Sequence, residues 1–193
     1  MNSFMNRMSP SATNLIRMDH THVLATFHQY QIDTPPNTKK ALIDSVCLAL
    51  EIHAQLEEEI FYPAMRELAT DRALIEKSVP EHNEMKRLIG VLRGMQPTEA
   101  KYDETVMELM GDVMHHVADE ETKLLPDAER LLGDRLGELG LEMTKRRVQL
   151  AAPRAGEIAA NTVRAMPVSS MLMAVGAIVA GSYIFKRAYS ATR

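Results

Sequence analysis

Cysteine is nearly missing from this chain: Cys47 is the one thiol in 193 residues. That excludes a disulfide framework, a thiolate zinc finger and a cysteine-ligated iron–sulfur cluster. It also fits a reducing compartment. Trp is absent and aromatic residues make up 5% of the chain. Strands draw on aromatic and β-branched side chains, whereas Met, Leu, Ala and Glu favour helices. With 14 Met, the composition predicts an all-α protein. Residues 1–14 contain no apolar stretch of signal-peptide length, so the body of the protein is expected to stay in the cytosol. What is present is an ordinary globular balance, 46% apolar and 25% charged, which argues against wholesale disorder.

The net charge of −4 hides an asymmetry. Residues 1–140 carry 14 Lys and Arg against 24 Asp and Glu, a net of −10. Residues 141–193 carry 8 against 2, a net of +6. An acidic body does not suit nucleic acid, which needs a cationic surface. The basic end suits anionic lipid, RNA or the acidic body itself.

Apolar residues recur at three- and four-residue steps from about Thr13, through Leu15, Ile16, Val23, Leu24 and Phe27. Thr34-Pro35-Pro36-Asn37 breaks this run. A second run, from Thr38 to Pro63, carries Leu42, Val46, Ile52, Leu56 and Ile60. A third centres on Met85, Leu88, Ile89 and Leu92, with Pro80 suited to its first turn. Thr98 is a plausible N-cap for a fourth, which carries Val106, Leu109, Val113 and Val117 to Pro126. The expected architecture is an up-down-up-down four-helix bundle over residues 11–132. A flexible start (1–10) precedes it. A helical connector (133–165), a hydrophobic, membrane-crossing helix (166–187) and a basic tail (188–193) follow.

Two segments of the bundle repeat each other. Residues 53–63 and 116–126 both read His-x-x-x-Glu-Glu-x-x-apolar-x-Pro, 63 positions apart. Asp19-His20 and Glu81-His82 are 62 apart. The chain is therefore read as a duplicated helical hairpin with one His/Glu set per copy. Residues i and i+4 share a helix face, so His53 points with Glu57 and His116 with Glu120. His20 and His82 meet them across an antiparallel core. A single His-x-x-x-Glu is usually a surface pair, but six positions recurring in register are not explained that way. Burying so many polar groups is costly unless they pair or hold metal. Nitrogen and oxygen donors without thiolate suit iron, manganese or zinc, and two sets suggest a dinuclear site bridged by Glu57 and Glu120. His22, His28 and His115 fall outside the repeat. His115 with Glu120 offers an alternative five-residue spacing, although the register set by Pro126 favours His116. Glu58 and Glu121 recur in the repeat, so a role supporting the metal ligands stays open for them.

This ordered set, Asp19-His20, His53-x-x-x-Glu57, Glu81-His82 and His116-x-x-x-Glu120 with Pro63 and Pro126, resembles the hemerythrin-like, or HHE cation-binding, family over residues 15–132. The resemblance implies a four-helix bundle around two non-haem iron ions, with an oxo or hydroxo bridge between them. It departs from the family's oxygen carriers in two places. Their fifth His, four residues after the third-helix His, is Lys86 here, and their His-x-x-x-x-Asp is His116-x-x-x-Glu120. The four-His, two-Glu set is more similar to bacterial di-iron proteins linked to nitric oxide and to repair of damaged iron centres. The implied activity is binding and reaction with O2, peroxide or nitric oxide. A non-catalytic sensor, carrier or store, or a metal-free structural bundle, is the alternative.

Residues 168–185 carry no charge and are followed by Lys186 and Arg187. At about 1.5 Å per residue, 18 residues reach about 27 Å, just short of a typical hydrocarbon core. The segment is expected to anchor the protein in the bacterial inner membrane. Ser170/Ala174, Gly176/Ala180 and Ala177/Gly181 form small-x-x-x-small pairs suited to packing against a second tail.

Overall fold

Ser11 opens the first helix, its side chain accepting a hydrogen bond from the Asn14 N–H at 3.3 Å. In the computed structural model, which describes residues 10–69 and 72–165, this helix is α1 (Ala12–His28). The Pro-Pro break follows it, and Pro36 occupies the first turn of α2 (Pro36–Leu56), where its missing N–H is not needed. A π-helical turn, Glu57–Phe61, carries α2 into α3 (Tyr62–Leu68). Next come α4 (Ala73–Gly94) and α5 (Tyr102–Asp119). A second π turn, Glu120–Leu124, leads into α6 (Leu125–Leu132). Gly133, at φ 48°, ends α6. Then follow α7 (Arg135–Ala151), a 3-10 turn and α8 (Ala155–Ala165).

The described residues are thus all-helical, and α1, α2–α3, α4 and α5–α6 form the four rods of the bundle. α1 packs against α2 and α4 against α5, the two hairpins of the duplication. The segment after residue 132 also folds back. α7 lies against α1, α8 lies against α2, and Leu136, Leu139 and Met143 join the core. Gly140 is required there, because a Cβ on it would meet the Pro10 carbonyl oxygen at 2.1 Å. Among the described residues no helix is long and apolar enough to cross a membrane. The expected membrane segment, 166–187, lies outside the described residues.

Two starts differ from expectation. Pro80 sits inside α4 rather than opening it. A proline there removes one helical hydrogen bond. The turns ahead of it are held by Ile75, fully buried, with Leu74 and Val79 packed beside it. α5 begins at Tyr102 rather than being capped by Thr98. Tyr102 is buried in the core, and its N–H bonds back to the Glu99 carbonyl at 3.0 Å.

The core is split in two. One apolar cluster gathers Leu15, Ile16, Leu56, Phe61, Ile75 and Leu125; the other gathers Val23, Phe27, Val46, Leu88, Leu109 and Val113. On each rod the buried His lies between residues of the first cluster and residues of the second. The buried histidines therefore form a polar layer between two apolar ones.

Candidate metal centre

His20, His53, Glu57, His82, His116 and Glu120 are all buried, none more than 4% exposed. They fall into two overlapping donor groups: His53, Glu57, His82 and His116, and His20, His53, Glu57 and Glu120. Within each group the donor atoms lie within 4.8 Å of one another. The imidazole centroids are 5.0 Å apart for His20 and His53 and 4.7 Å for His82 and His116. Glu57 Oε2 lies 3.2 Å from His53 Nε2 and 3.3 Å from His82 Nε2. Glu120 Oε2 lies 3.3 Å from His20 Nε2 and 3.5 Å from His116 Nε2. The alternative His115 is outside this layer, its side chain 70% exposed. His22 and His28 are exposed.

The local chain explains how the two glutamates enter. Tyr62 N–H bonds to the Glu57 carbonyl and Leu125 N–H to the Glu120 carbonyl, each five residues back. A proline follows at once in both copies. Its ring would clash with the carbonyl four residues back, and it has no N–H for that carbonyl. A widened π turn absorbs both defects, and such turns favour functional sites. The prolines were the signal for these turns.

Each imidazole has a carboxylate behind it. Nδ1 of His20 lies 2.8 Å from Glu121, that of His53 3.5 Å from Asp19, that of His82 3.0 Å from Glu58 and that of His116 2.9 Å from Glu81. A carboxylate only accepts, so in the neutral ring Nδ1 carries the proton and Nε2 is left to present its lone pair inward. A cation backs each carboxylate in turn: Arg17 on Glu121 at 3.1 Å, Arg147 on Asp19 at 2.6 Å, Lys86 on Glu58 at 2.7 Å and Lys77 on Glu81 at 3.0 Å. These outer charges show in the carboxyl pKa values. Glu58 is brought down to about 2 by its hydrogen bond with His82 and by Lys86. Burial works against ionised Asp19, but His53 and Arg147 outweigh it and hold its pKa low.

Tyr62 is a residue at the centre that sequence reasoning missed. Its hydroxyl lies 2.8 Å from Glu120 Oε1 and 3.1 Å from Glu57 Oε2, and 3.4 Å from His82 Nε2. The repeat held a clue, because the matching position is Leu125: a buried hydroxyl in one copy only. Lys86, at the position of the family's fifth His, turns away to Glu58.

Without metal, the centre is electrostatically divided. Burial disfavours a charged His20, yet Glu120 and Glu57 outweigh it and raise its pKa to about 9. Burial brings His53 down to about 4 despite Asp19. Burial and the neighbouring Glu120 charge push Glu57 well up. Burial acts on Glu120 in the same sense, but His20, His116 and His53 hold it down. His20 Nε2, Glu57 Oε1 and Glu120 Oε2 are buried and make no well-aligned hydrogen bond among the described residues, although His20 Nε2 and Glu120 Oε2 face each other at 3.3 Å. Orphaned atoms of a nitrogen–oxygen donor set, facing one another in a dry layer, fit a metal of the iron, manganese or zinc type.

A helical bundle with a buried His/Glu centre between two apolar layers defines the class. Comparison with known proteins gives the family. Residues 11–128 match the model of the hemerythrin HHE cation binding domain. The chain belongs to that family, and metal binding, with iron as the implied ion, comes with it. A hemerythrin HHE cation binding domain-containing protein from Mycobacterium kansasii, known from its crystal structure, superposes with a TM-score of 0.66. It is 23% identical, over 81% of this chain and 99% of that one. A DNA nickase from Nostoc sp. (strain PCC 7120) is 31% identical over 111 residues, 58% of this chain. The match spans 31% of the nickase's length.

Proposed function

We propose that this is a non-haem di-iron protein that binds and reacts with a small oxidant: O2, peroxide or nitric oxide. The observation that carries the reading is the set of orphaned inward atoms, His20 Nε2, Glu57 Oε1 and Glu120 Oε2, among four histidines whose Nδ1 atoms are already engaged outward. Iron held by His20, His53, His82, His116, Glu57 and Glu120 would supply redox electrons and an open coordination position. The protein's own contribution is to fix the donors and exclude water. The carboxylate behind each Nδ1 fixes the ring tautomer and orientation. Tyr62 Oη holds a proton between Glu57 Oε2 and Glu120 Oε1. A cavity of about 10 Å³ beside His20, His53 and His116 is walled by Val23, Leu50, Val113 and Val117. That is room for about one water, and it favours a ligand of two or three atoms.

The nickase's activity is not carried over. The match spans under a third of that protein, and the acidic body of this chain offers phosphate little cationic surface.

Anaerobic iron loading, followed by optical spectra with each oxidant, tests the reading. Two irons per chain and a spectral response to at least one oxidant are expected. Loaded protein that responds to none overturns it. Sustained consumption of the oxidant would mark an enzyme; a single stoichiometric response would mark a sensor, carrier or store.

We also propose that residues 168–185 tether this centre to a membrane, with Lys186 and Arg187 at the interface. Carbonate-resistant membrane association, lost when the chain is shortened after Ala165, is expected. Full-length protein recovered soluble at low ionic strength without detergent overturns it.

A further inference from the structure

The helices after the bundle create a second concavity that the metal centre does not use. A cleft of about 290 Å³ lies where α7 and α8 meet α1 and α2. Leu48, Ile52 and Ile158 give it apolar walls, and Asp19, Arg147 and Asn161 are among its polar lining. Asn161 is 3% exposed, yet its Nδ2 has no hydrogen-bond partner among the described residues. Arg147 Nε is likewise buried and unpartnered. A buried donor without an acceptor has lost its water and gained nothing in return. Two of them on one cleft mark a place where an acceptor is missing.

The other polar groups narrow the kind of acceptor. The Ser45 hydroxyl donates to the Ala41 carbonyl at 2.8 Å and the Thr162 hydroxyl to the Ile158 carbonyl at 2.7 Å. Neither proton is free for a ligand. Arg147 gives both terminal nitrogens to Asp19, one at 2.6 Å, so its charge is already matched. An anionic ligand would face Asp19, and beyond Arg147 the lining offers it no Lys or Arg, only the exposed imidazole of His22. A neutral oxygen acceptor meets Nε and Nδ2 without that repulsion, and the apolar walls suit a mostly apolar body.

We propose that this cleft binds a small, neutral, mostly apolar carbonyl compound, its oxygen accepting from Arg147 Nε and Asn161 Nδ2. The site requires no metal, so its failure and that of the iron reading are separable. Titrating the full chain with acetophenone, ethylbenzene and benzoate, by calorimetry and ligand-observed NMR, tests it. The three probes share a ring and differ in carbonyl and charge. Acetophenone is expected to bind about tenfold more tightly than ethylbenzene, the effect of a neutral hydrogen bond of ordinary strength. Benzoate is expected to bind more weakly than acetophenone. N161L replaces the amide by an apolar group of similar shape and should remove the preference for acetophenone while leaving the melting temperature unchanged or higher. A49F narrows the cleft from α2 and should abolish binding of all three, with metal content unchanged. The proposal is overturned if no probe binds, if acetophenone has no advantage, if the advantage survives N161L, if benzoate binds best, or if binding survives A49F.

Discussion

The two hairpins of the duplication set matching His and Glu side chains around the centre, and differ where Asp19 stands for Glu81 and Tyr62 for Leu125. In both, the second-helix His takes its carboxylate from its own hairpin: Asp19 for His53, Glu81 for His116. In both, the first-helix His takes it from the other: Glu121 for His20, Glu58 for His82. The outer cations follow no such rule. Arg17, Lys77 and Lys86 lie on the bundle helices, whereas Arg147 comes from α7. Inside, the first hairpin has Tyr62 where the second has Leu125. Its hydroxyl reaches both glutamates, so one hairpin controls a proton shared by the two carboxylates. The difference teaches that duplication supplied a paired set of buried His and Glu side chains, and that Tyr62 gives one hairpin a hydroxyl between the two glutamates that the other lacks.

The largest effect should come from a residue that both donor groups share. His53 and Glu57 appear in both groups, whereas His20 and Glu120 appear in one and His82 and His116 in the other. His53→Ala is expected to lose all bound metal, measured by elemental analysis, and with it the stabilisation that metal gives the folded state. H20A and H82A should each retain about half. Full metal content in H53A would show that the donor groups are wrongly drawn.

Next in size is the asymmetry itself. Tyr62→Phe leaves Glu57 and Glu120 without their shared donor in a buried layer. Removing a partner from a buried polar group costs about 1–3 kcal/mol, so the metal-free variant should lose about that much unfolding free energy, measured by denaturant titration. L125F, the matching site in the other hairpin, removes no hydrogen bond and should leave the Glu57–Glu120 pair as it is. Equal changes in the pH dependence of stability for Y62F and L125F would show that the hydroxyl plays no special part.

How far the chain can be read without coordinates follows from what repeats. The four histidines and two glutamates are legible because six positions recur in register, and only a common function explains polar groups repeated on core-facing helix sides. The bundle is legible for the same reason, through its apolar periodicity and the Pro35-Pro36 break. Pro80 misleads because burial of Ile75 outweighs one lost hydrogen bond, a tertiary effect absent from local rules. Arg147 is hidden because its partner Asp19 is 128 positions away. Tyr62 is hidden because it is where the repeat fails, and a search for repetition passes over it.

A smaller effect is expected from pH. In the metal-free protein His20 has its pKa raised to about 9, from an ordinary 6.5. A raised folded-state pKa stabilises fully below 6.5, and that stabilisation is lost as pH rises to about 9. Glu57, also raised, acts in the same sense. Metal must displace these protons, so its affinity should rise with pH over this window and level off near 9. Chemical denaturation of metal-free protein should therefore show stability falling from pH 6.5 to 9, and H20Q should flatten the curve. A metal-free curve that rises over this range would refute the assigned protonation.

The smallest effect tests the boundary of the centre. Glu81, His115 and Asp119 form a third, more exposed group of donors within metal-binding reach of one another, and His115 is the ligand that the spacing to Glu120 leaves open. A cation already stands among them: Lys77 Nζ lies 3.0 Å from Glu81, 3.1 Å from His115 Nε2 and 2.6 Å from Asp119. An ammonium there opposes a metal ion by like-charge repulsion, and exposed groups gain little from coordination that water does not give them. H115A is therefore expected to keep its full metal content and melting temperature, as are H22A and H28A. H116A, one residue along and buried, should lose metal. Loss of metal in H115A with retention in H116A would reverse the register of the second motif, and would move the centre from between the two cores to the surface of α5.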